Sequence, residues 1–192
     1  MNNKKLNFML SYLATLLVST APFAKDLAHS PEDTVNSLLH LLIKQMDFDQ
    51  LLALGDFPRG YSRSSLDFQL LEMRKLIPQE GSLFAAGQPC TLLQQHLRQH
   101  PNGNYPFYHR ERSSCVKQMN QLGTKNIAQA YGLEKGLYLT RISYNPSHCR
   151  AILTYRTHSD HRALQFPLVR RKKSWYLEEL SYATLVNILG YR

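Results

Sequence analysis

The chain has 192 residues, 43% of them hydrophobic, and a net charge of +9. No repeat, low-complexity segment or domain linker interrupts it, which excludes repeat and multidomain architectures. The charge is uneven: residues 25–134 carry 11 basic and 11 acidic side chains, whereas residues 135–192 carry 10 basic and 3 acidic. Such a basic last third indicates an acidic partner or surface and says nothing about the fold.

The first residues have the three-part pattern of a secretory signal. Two lysines precede an apolar run from Leu6 to Val18, and small residues follow that run. We predict that residues 1–24 are a cleaved signal peptide and that residues 25–192 form one exported domain, which is periplasmic if the source is a Gram-negative bacterium. An uncleaved membrane anchor is the competing interpretation. It is disfavoured because polar residues interrupt the run, and a spanning helix needs about 20 mostly apolar residues.

Three cysteines remain in the exported part: Cys90, Cys115 and Cys149. Outside the cytoplasm a pair can oxidise, but three thiols cannot all pair within one chain. We predict a disulfide between Cys90 and Cys115, which would close a loop around the polar middle segment. The alternative, in which all three cysteines stay buried and reduced, remains open.

The first half of the exported part predicts helices. A helix begins at Ser30-Pro31-Glu32-Asp33, because serine caps, proline suits the first helical position and acids oppose the helix dipole. Apolar residues at helical spacing then run from Val35 to Met46. A short second helix is predicted from Asp47 to Gly55, and a third is predicted with Ser64 or Ser65 as its cap.

The middle segment, residues 79–134, has a weaker pattern. We predict a helix after Pro89, a turn at residues 101–104 and another short helix from Ser114 to Leu122.

From Gly136 onward the pattern changes to strands. Four segments are rich in aromatic and β-branched residues and are separated by short turns, which predicts an antiparallel meander. These segments are Leu137–Tyr144, Arg150–Thr157, Ala163–Arg170 and Trp175–Leu180. A closing helix is predicted from Tyr182 to Leu189. Helices first and an antiparallel sheet last indicate an α+β domain in which the helices pack on the sheet.

Two stretches, Ser30–Val35 and Phe166–Leu177, resemble the opening helix and a late hairpin of small exported members of the nuclear transport factor 2-like superfamily. The resemblance implies a curved, cone-like sheet with helices packed into it. The superfamily includes isomerases, dehydratases and polyketide cyclases, and also non-catalytic exported accessory domains. It therefore implies no particular reaction, and no catalytic residue is carried over from it.

The densest cluster of potential metal ligands is His158-Ser159-Asp160-His161. Serine and aspartate are expected there because the segment is a tight turn, and three ligands within four residues seldom converge on one ion. We predict neither a metal nor a cofactor.

Two further side-chain sets are candidates for catalytic groups. Cys115 with His109 would be a nucleophile and its base, but no local signature supports that pair and no Gly-x-Ser-x-Gly elbow is present. Asp67 on the third helix could act as a general base if it faced an apolar pocket. An amphipathic helix with this acid in solvent is the favoured interpretation.

The strongest charge feature is the run Arg170-Arg171-Lys172-Lys173, and Arg150 and Arg156 lie in the same basic third. These cations could contact an acidic protein or an anionic membrane surface. A solvated hairpin turn is the alternative, because lysine and arginine are common there and discourage edge pairing. The aromatic and basic residues at 105–112 form either a contact surface or a loop anchored by its own tyrosines.

The sequence thus predicts an exported, non-enzymatic binding or accessory protein whose basic sheet end meets an acidic protein or an anionic membrane. Export disfavours nucleic acid as the partner. The alternative is a small isomerase or dehydratase with a ligand pocket inside the cone. An enzyme should have an open apolar pocket with an inward Asp or His. A binding protein should instead have a cone filled by side chains and an exposed patch.

Overall fold

A computed structural model of the chain describes residues 30–78, 81, 83, 85–102 and 105–190, so the predicted signal peptide lies outside the described residues. The helices are α1 (Pro31–Ile43), α2 (Phe48–Ala53), α3 (Arg63–Met73), α4 (Pro89–Gln99), α5 (Tyr108–Ala130) and α6 (Tyr182–Leu189). The strands are β1 (Leu137–Tyr144), β2 (Arg150–Thr157), β3 (Ala163–Arg171) and β4 (Ser174–Leu177). Within this part of the chain, no helix combines the length and the apolar character needed to span a membrane.

The helix starts follow local capping rules. Ser30 Oγ accepts the Asp33 N–H at 3.2 Å and the Asp33 carboxylate accepts the Ser30 N–H at 3.1 Å, which forms a capping box at α1. The cap of α3 is Ser62, which accepts the Ser65 N–H at 3.1 Å. The prediction of Ser64 or Ser65 was therefore wrong. Ser62, Ser64 and Ser65 are all residues that can cap a helix. Only Ser62 accepts a backbone N–H of the first turn of α3, that of Ser65.

Helix α5 is much longer than the predicted Ser114–Leu122. Gly123, the residue after the predicted end, lies inside the observed helix and in close contact with Met46. A Cβ at position 123 would stand 2.8 Å from Met46 Cγ. The glycine therefore admits a neighbouring side chain and does not end the helix.

Helix α5 also holds the junction between α1 and α2. Thr124 Oγ1 accepts the Met46 N–H at 2.9 Å, and Asn120 Oδ1 accepts the Phe48 N–H at 2.9 Å. Two backbone donors that precede or begin α2 are thus satisfied by side chains of α5. The long helix is a scaffold on which the other helices are arranged.

The four strands form one antiparallel sheet in the order β1-β2-β3-β4, which confirms the predicted meander. The sheet is not closed into a barrel, and the α+β class is confirmed with helices first and sheet last. Strand β4 is shorter than predicted, because Glu179 adopts a left-handed φ of 53° and turns the chain toward α6.

Residues of the sheet alternate in burial along β2 and β3, so one face packs on the helices. Leu153 and Phe166 face each other across these strands and are fully buried. Helix α1 packs against β2 and β4, and α6 packs against β3. We call the side of the sheet that packs on the helices the inner face, and the opposite side the outer face.

The Cys90–Cys115 disulfide is present and joins α4 to α5 across a sequence separation of 25. Both half-cystines are fully buried, whereas Cys149 is exposed and free. The linkage closes the loop that contains the turn at Pro101 and Asn102; residues 103 and 104 lie outside the described residues.

Replacing both half-cystines, Cys90→Ala with Cys115→Ala, should lower the free energy of unfolding by about 3 kcal/mol, because the cross-link restricts the unfolded chain. Urea denaturation followed by circular dichroism measures the change. The matched control, Cys149→Ala, should leave the stability of the parent protein unchanged, because this cysteine is exposed. Equal stability of the double variant and the parent would contradict the assignment.

Candidate functional site

The outer face of the sheet carries a row of arginines. Arg150 and Arg156 lie on this face of β2, since the residues between them alternate in burial. Arg141 on β1 lies opposite Thr154 of β2, and Arg171 on β3 is two residues beyond the partner of Arg150. Arg141, Arg150, Arg156 and Arg171 are called the basic sheet face below. No Asp or Glu occurs at positions 135–159, so β1 and β2 have no carboxylate of their own.

The predicted four-cation run does not form one patch. Arg170 and Arg171 are consecutive residues of β3, so their side chains point to opposite faces of the sheet. Lys172 and Lys173 form the turn to β4, and Lys172 has a left-handed φ of 58°. Only Arg171 of this run belongs to the basic sheet face.

An open groove of about 1310 Å³ adjoins the basic sheet face at its β3–β4 end. The loop after α2, with Phe57, Arg59 and Tyr61, forms one wall, and the segment between β4 and α6 forms another. Arg150, Arg171, Lys172 and Tyr176 complete the lining. The groove was not found from the sequence, because its walls come from segments about 100 residues apart that carry no shared motif.

Two arginines of the groove are paired with carboxylates of the same molecule. Arg171 Nη2 lies 2.7 Å from Asp56 Oδ2, and its Nε donates to the same carboxylate at 3.1 Å. This hydrogen bonding raises the pKa of Arg171. Arg150 Nη2 lies 2.9 Å from Glu178 Oε1. Both guanidiniums are largely exposed, so solvent screens each pair and leaves it open to competition by another carboxylate.

The remaining cations of this region are not neutralised. Among the described residues, Arg59, Lys172 and Arg141 form no ion pair. Arg156 Nη1 donates to the backbone oxygen of His161 at 3.3 Å, which orients the side chain and leaves its charge uncompensated. The basic sheet face and the groove therefore have an excess of positive charge.

The His158–His161 segment is a turn whose polar groups stabilise the turn itself. The Asp160 carboxylate accepts the Thr157 hydroxyl and, at 3.3 Å, the Arg162 N–H. Over the described part of the chain, no three or more His, Cys, Asp or Glu side chains are placed to hold a metal ion. Cys115 is oxidised in the disulfide, so it has no thiolate to serve as the nucleophile considered with His109.

Asp67 is fully buried, so the interpretation of an acid in solvent was wrong. The Tyr108 hydroxyl donates to one of its carboxylate oxygens, and Arg112 Nε donates to the other at 2.7 Å. Arg112 also binds Asp49 on α2, with Nη2 to Oδ1 at 2.5 Å. The sequence did carry a signal: Asp67 stands three and four residues before two leucines that are both buried, so it shares their helix face.

This network holds α2, α3 and α5 together. Burial, and then the hydrogen bond to Asp67, raise the pKa of Tyr108 to about 12, so its hydroxyl keeps its proton and donates at neutral pH. Burial of Arg112 opposes its charge, but the hydrogen bonds to Asp49 and Asp67 outweigh that effect and raise its pKa. Both oxygens of Asp67 are occupied, so the carboxylate is structural and does not face an open pocket.

The tyrosines near the start of α5 pack against the core. Tyr108 is buried and Tyr105 is partly buried beside it, and the Glu111 carboxylate lies 2.8 Å from His96 Nδ1 on α4. Of the aromatic and basic residues of this segment, Phe107, His109 and Arg110 remain exposed. Tyr105 and Tyr108 anchor the segment, as the second interpretation expected, and the contact surface stays a prediction.

Comparisons of the chain with protein-family models, with curated proteins and with solved structures found no match.

Asp67→Asn should lower the free energy of unfolding by about 2–3 kcal/mol, because one charged partner of two buried donors is lost. Chemical denaturation at neutral pH measures the loss. Asp49→Asn removes a carboxylate from the same arginine, but the Asp49 side chain is 47% exposed, so its cost should stay below about 1 kcal/mol. Equal costs for the two variants would contradict the structural role assigned to Asp67.

Cys149 should react with iodoacetamide at lower pH than an unperturbed thiol, whose pKa is about 8.5. Hydrogen bonds from Ser147 Oγ at 2.9 Å and from Asn145 Nδ2 at 3.4 Å stabilise the thiolate and lower the pKa of Cys149. Ser147→Ala should shift the midpoint of the pH–rate profile upward, whereas Ser113→Ala, on an exposed part of α5, should not. A profile unaffected by Ser147→Ala would show that the thiolate is not held in this way.

Proposed function

We propose that this protein is an exported binding or accessory protein that captures an acidic protein partner through the basic sheet face and the adjoining groove. The observation that carries the proposal is the one-sided charge of the sheet: the outer face has four arginines, and β1 and β2 have no carboxylate. Arginine suits this role because its planar guanidinium binds carboxylates in a bidentate manner.

The outer face also has an apolar centre. Ile152 lies between Arg150 and Arg156 on β2, and 45% of its surface is exposed. Protein interfaces commonly combine a small apolar contact with surrounding arginines, and the charged rim then sets orientation and association rate. An exposed isoleucine between two arginines supports a specific contact with a protein in addition to non-specific electrostatic attraction.

A protein partner is favoured over an anionic membrane because of the carboxylates beside the arginines. Asp56, Glu178 and Glu179 all line the groove. A flat sheet of anionic headgroups would meet these acids together with the cations and would be repelled by them. An acidic protein segment can instead place its carboxylates at the arginines and avoid the acids.

Two observations support binding over catalysis. Side chains of the core fill the inner face of the sheet, where Leu153, Phe166 and Leu168 are fully buried. The one buried carboxylate of the described residues, Asp67, has both oxygens occupied. A relation to the nuclear transport factor 2-like superfamily is part of the proposal and is supported by the order of helices and strands.

The proposal is tested with a fluorescent poly-glutamate peptide, whose affinity is measured by anisotropy at low and at physiological ionic strength. Removing two cations that make no ion pair, Arg141→Gln with Arg156→Gln, should weaken binding about tenfold, and added salt should weaken binding of the parent protein. Neither change releases a carboxylate, so the loss is not due to a new repulsion.

The matched control, Arg98→Gln with Arg110→Gln, removes the same net charge from exposed positions on the helices and should change the affinity less than about twofold. Equal losses in both variants would show that net charge alone drives binding. Strong binding to phosphatidylglycerol vesicles without binding to the peptide would show that the partner is a membrane.

A further inference from the structure

The two edges of the sheet differ in how they are covered. At the β4 edge, the Leu177 N–H donates to the Leu54 oxygen at 2.7 Å and the Asp56 N–H donates to the Leu177 oxygen at 2.9 Å. The Thr34 hydroxyl donates to the Trp175 oxygen at 3.1 Å. Along β1, by contrast, no other strand of the described chain pairs with the outer edge. Strand β1 therefore has the open edge.

The hydrogen-bond pattern shows which backbone groups are free at this edge. The Asn145 N–H donates to the Arg150 oxygen at 3.1 Å. Because bonded pairs alternate along an antiparallel ladder, Ser143 is bonded to β2, and Ile142 and Tyr144 direct their N–H and C=O groups away from it. A bulge after Leu139 interrupts the strand, so the continuous free stretch is residues 141–144.

The side chains of β1 are incompletely covered on the inner face. Leu139 is 39% exposed, Tyr144 is 44% exposed and Ile142 is half-buried. Helices α1 and α6 pack beneath β2, β3 and β4, so the apolar strip of β1 extends past the helical layer. An apolar strip beside free backbone donors and acceptors is the combination that strand addition uses.

We propose that an extended segment of the acidic partner adds to β1 as a fifth strand, with apolar side chains on the inner face and carboxylates on the outer face beside Arg141. This inference rests on the proposed function and names the conformation of the partner segment. The alternation of side chains along a strand supplies both contacts at once, since one face of β1 is apolar and the other carries Arg141.

A second copy of the chain suits this edge poorly. Pairing β1 with its copy would place two basic outer faces side by side, and neither has a carboxylate on β1 or β2. Like charges on adjacent strands repel each other. An acidic segment removes that repulsion.

The test uses a peptide of alternating glutamate and valine, and amide hydrogen exchange of the full domain followed by NMR. On binding, the amides of Ile142 and Tyr144 should exchange at least about tenfold more slowly, because they gain acceptors on the added strand. The Ser143 amide is the internal control, since it is already bonded to β2. The same peptide with N-methylated valines has the same charge and should not protect Ile142 or Tyr144.

Leu139→Lys should weaken binding of this peptide about tenfold, because it places a charge in the apolar strip. The control is Phe68→Lys on α3, a side chain of similar exposure, 37% against 39%, away from the sheet edge. Circular dichroism of both variants checks that they fold.

The outcomes separate this inference from the proposed function. If binding depends on Arg141 and Arg156 but the amides of Ile142 and Tyr144 keep their exchange rates, strand addition is overturned and the proposed function stands. If poly-glutamate binds but the alternating peptide does not, strand addition is overturned and the proposed function stands; if neither peptide binds, both fail. If Ile142 and Tyr144 become protected without peptide as the protein concentration rises, the edge pairs with a second copy and the inference is overturned.

Discussion

The two-residue period of strand β2 is the constraint on which the rest of the molecule depends. It places Ala151, Leu153 and Tyr155 against the helices and leaves Arg150 and Arg156 on the opposite side. Burial of the first set stabilises the fold, and the same alternation gathers the arginines on one face. The buried core and the basic surface therefore both follow from the alternation of side chains along β2. Shifting the register of this strand by one residue would destroy both.

The helical layer fixes the groove beside that surface. Arg112 links Asp67 on α3 to Asp49 on α2, so the loop between these helices is held at both ends. Gly55 at the start of the loop lies so close to Leu180 that a Cβ there would stand 2.7 Å from the Cβ of that leucine. Such close packing keeps the wall with Phe57 and Tyr61 near β4. The groove is thus positioned by buried contacts, whereas the ion pairs in its lining are exposed.

Much of the fold follows from local patterns in the sequence. The four strands, α1 and α6 were predicted nearly at their observed positions, because strand alternation, helical spacing and capping residues act within a few residues of one another. The length of α5 was missed because the role of Gly123 depends on Met46, which is 77 positions earlier in the numbering of the chain. The burial of Asp67 was missed although two leucines share its helix face, since the donors that satisfy a buried carboxylate belong to another helix.

At the candidate site, too, local sequence patterns were predictable and contacts between distant residues were not. Composition located the basic third, but it could not show that Arg170 and Arg171 point to opposite faces, or that Asp56 neutralises one of them. Those facts depend on strand register and on a loop distant in sequence.

The central claim is that an acidic partner binds on the outer face of the sheet. It is tested most directly by following the side-chain Nε–H resonances of the arginines in an NMR titration with the poly-glutamate peptide. The account predicts that the largest shifts belong to Arg141 and Arg156, with the backbone of Ile152 shifting alongside them. Shifts centred on Arg98 and Arg110, with the sheet unchanged, would contradict it.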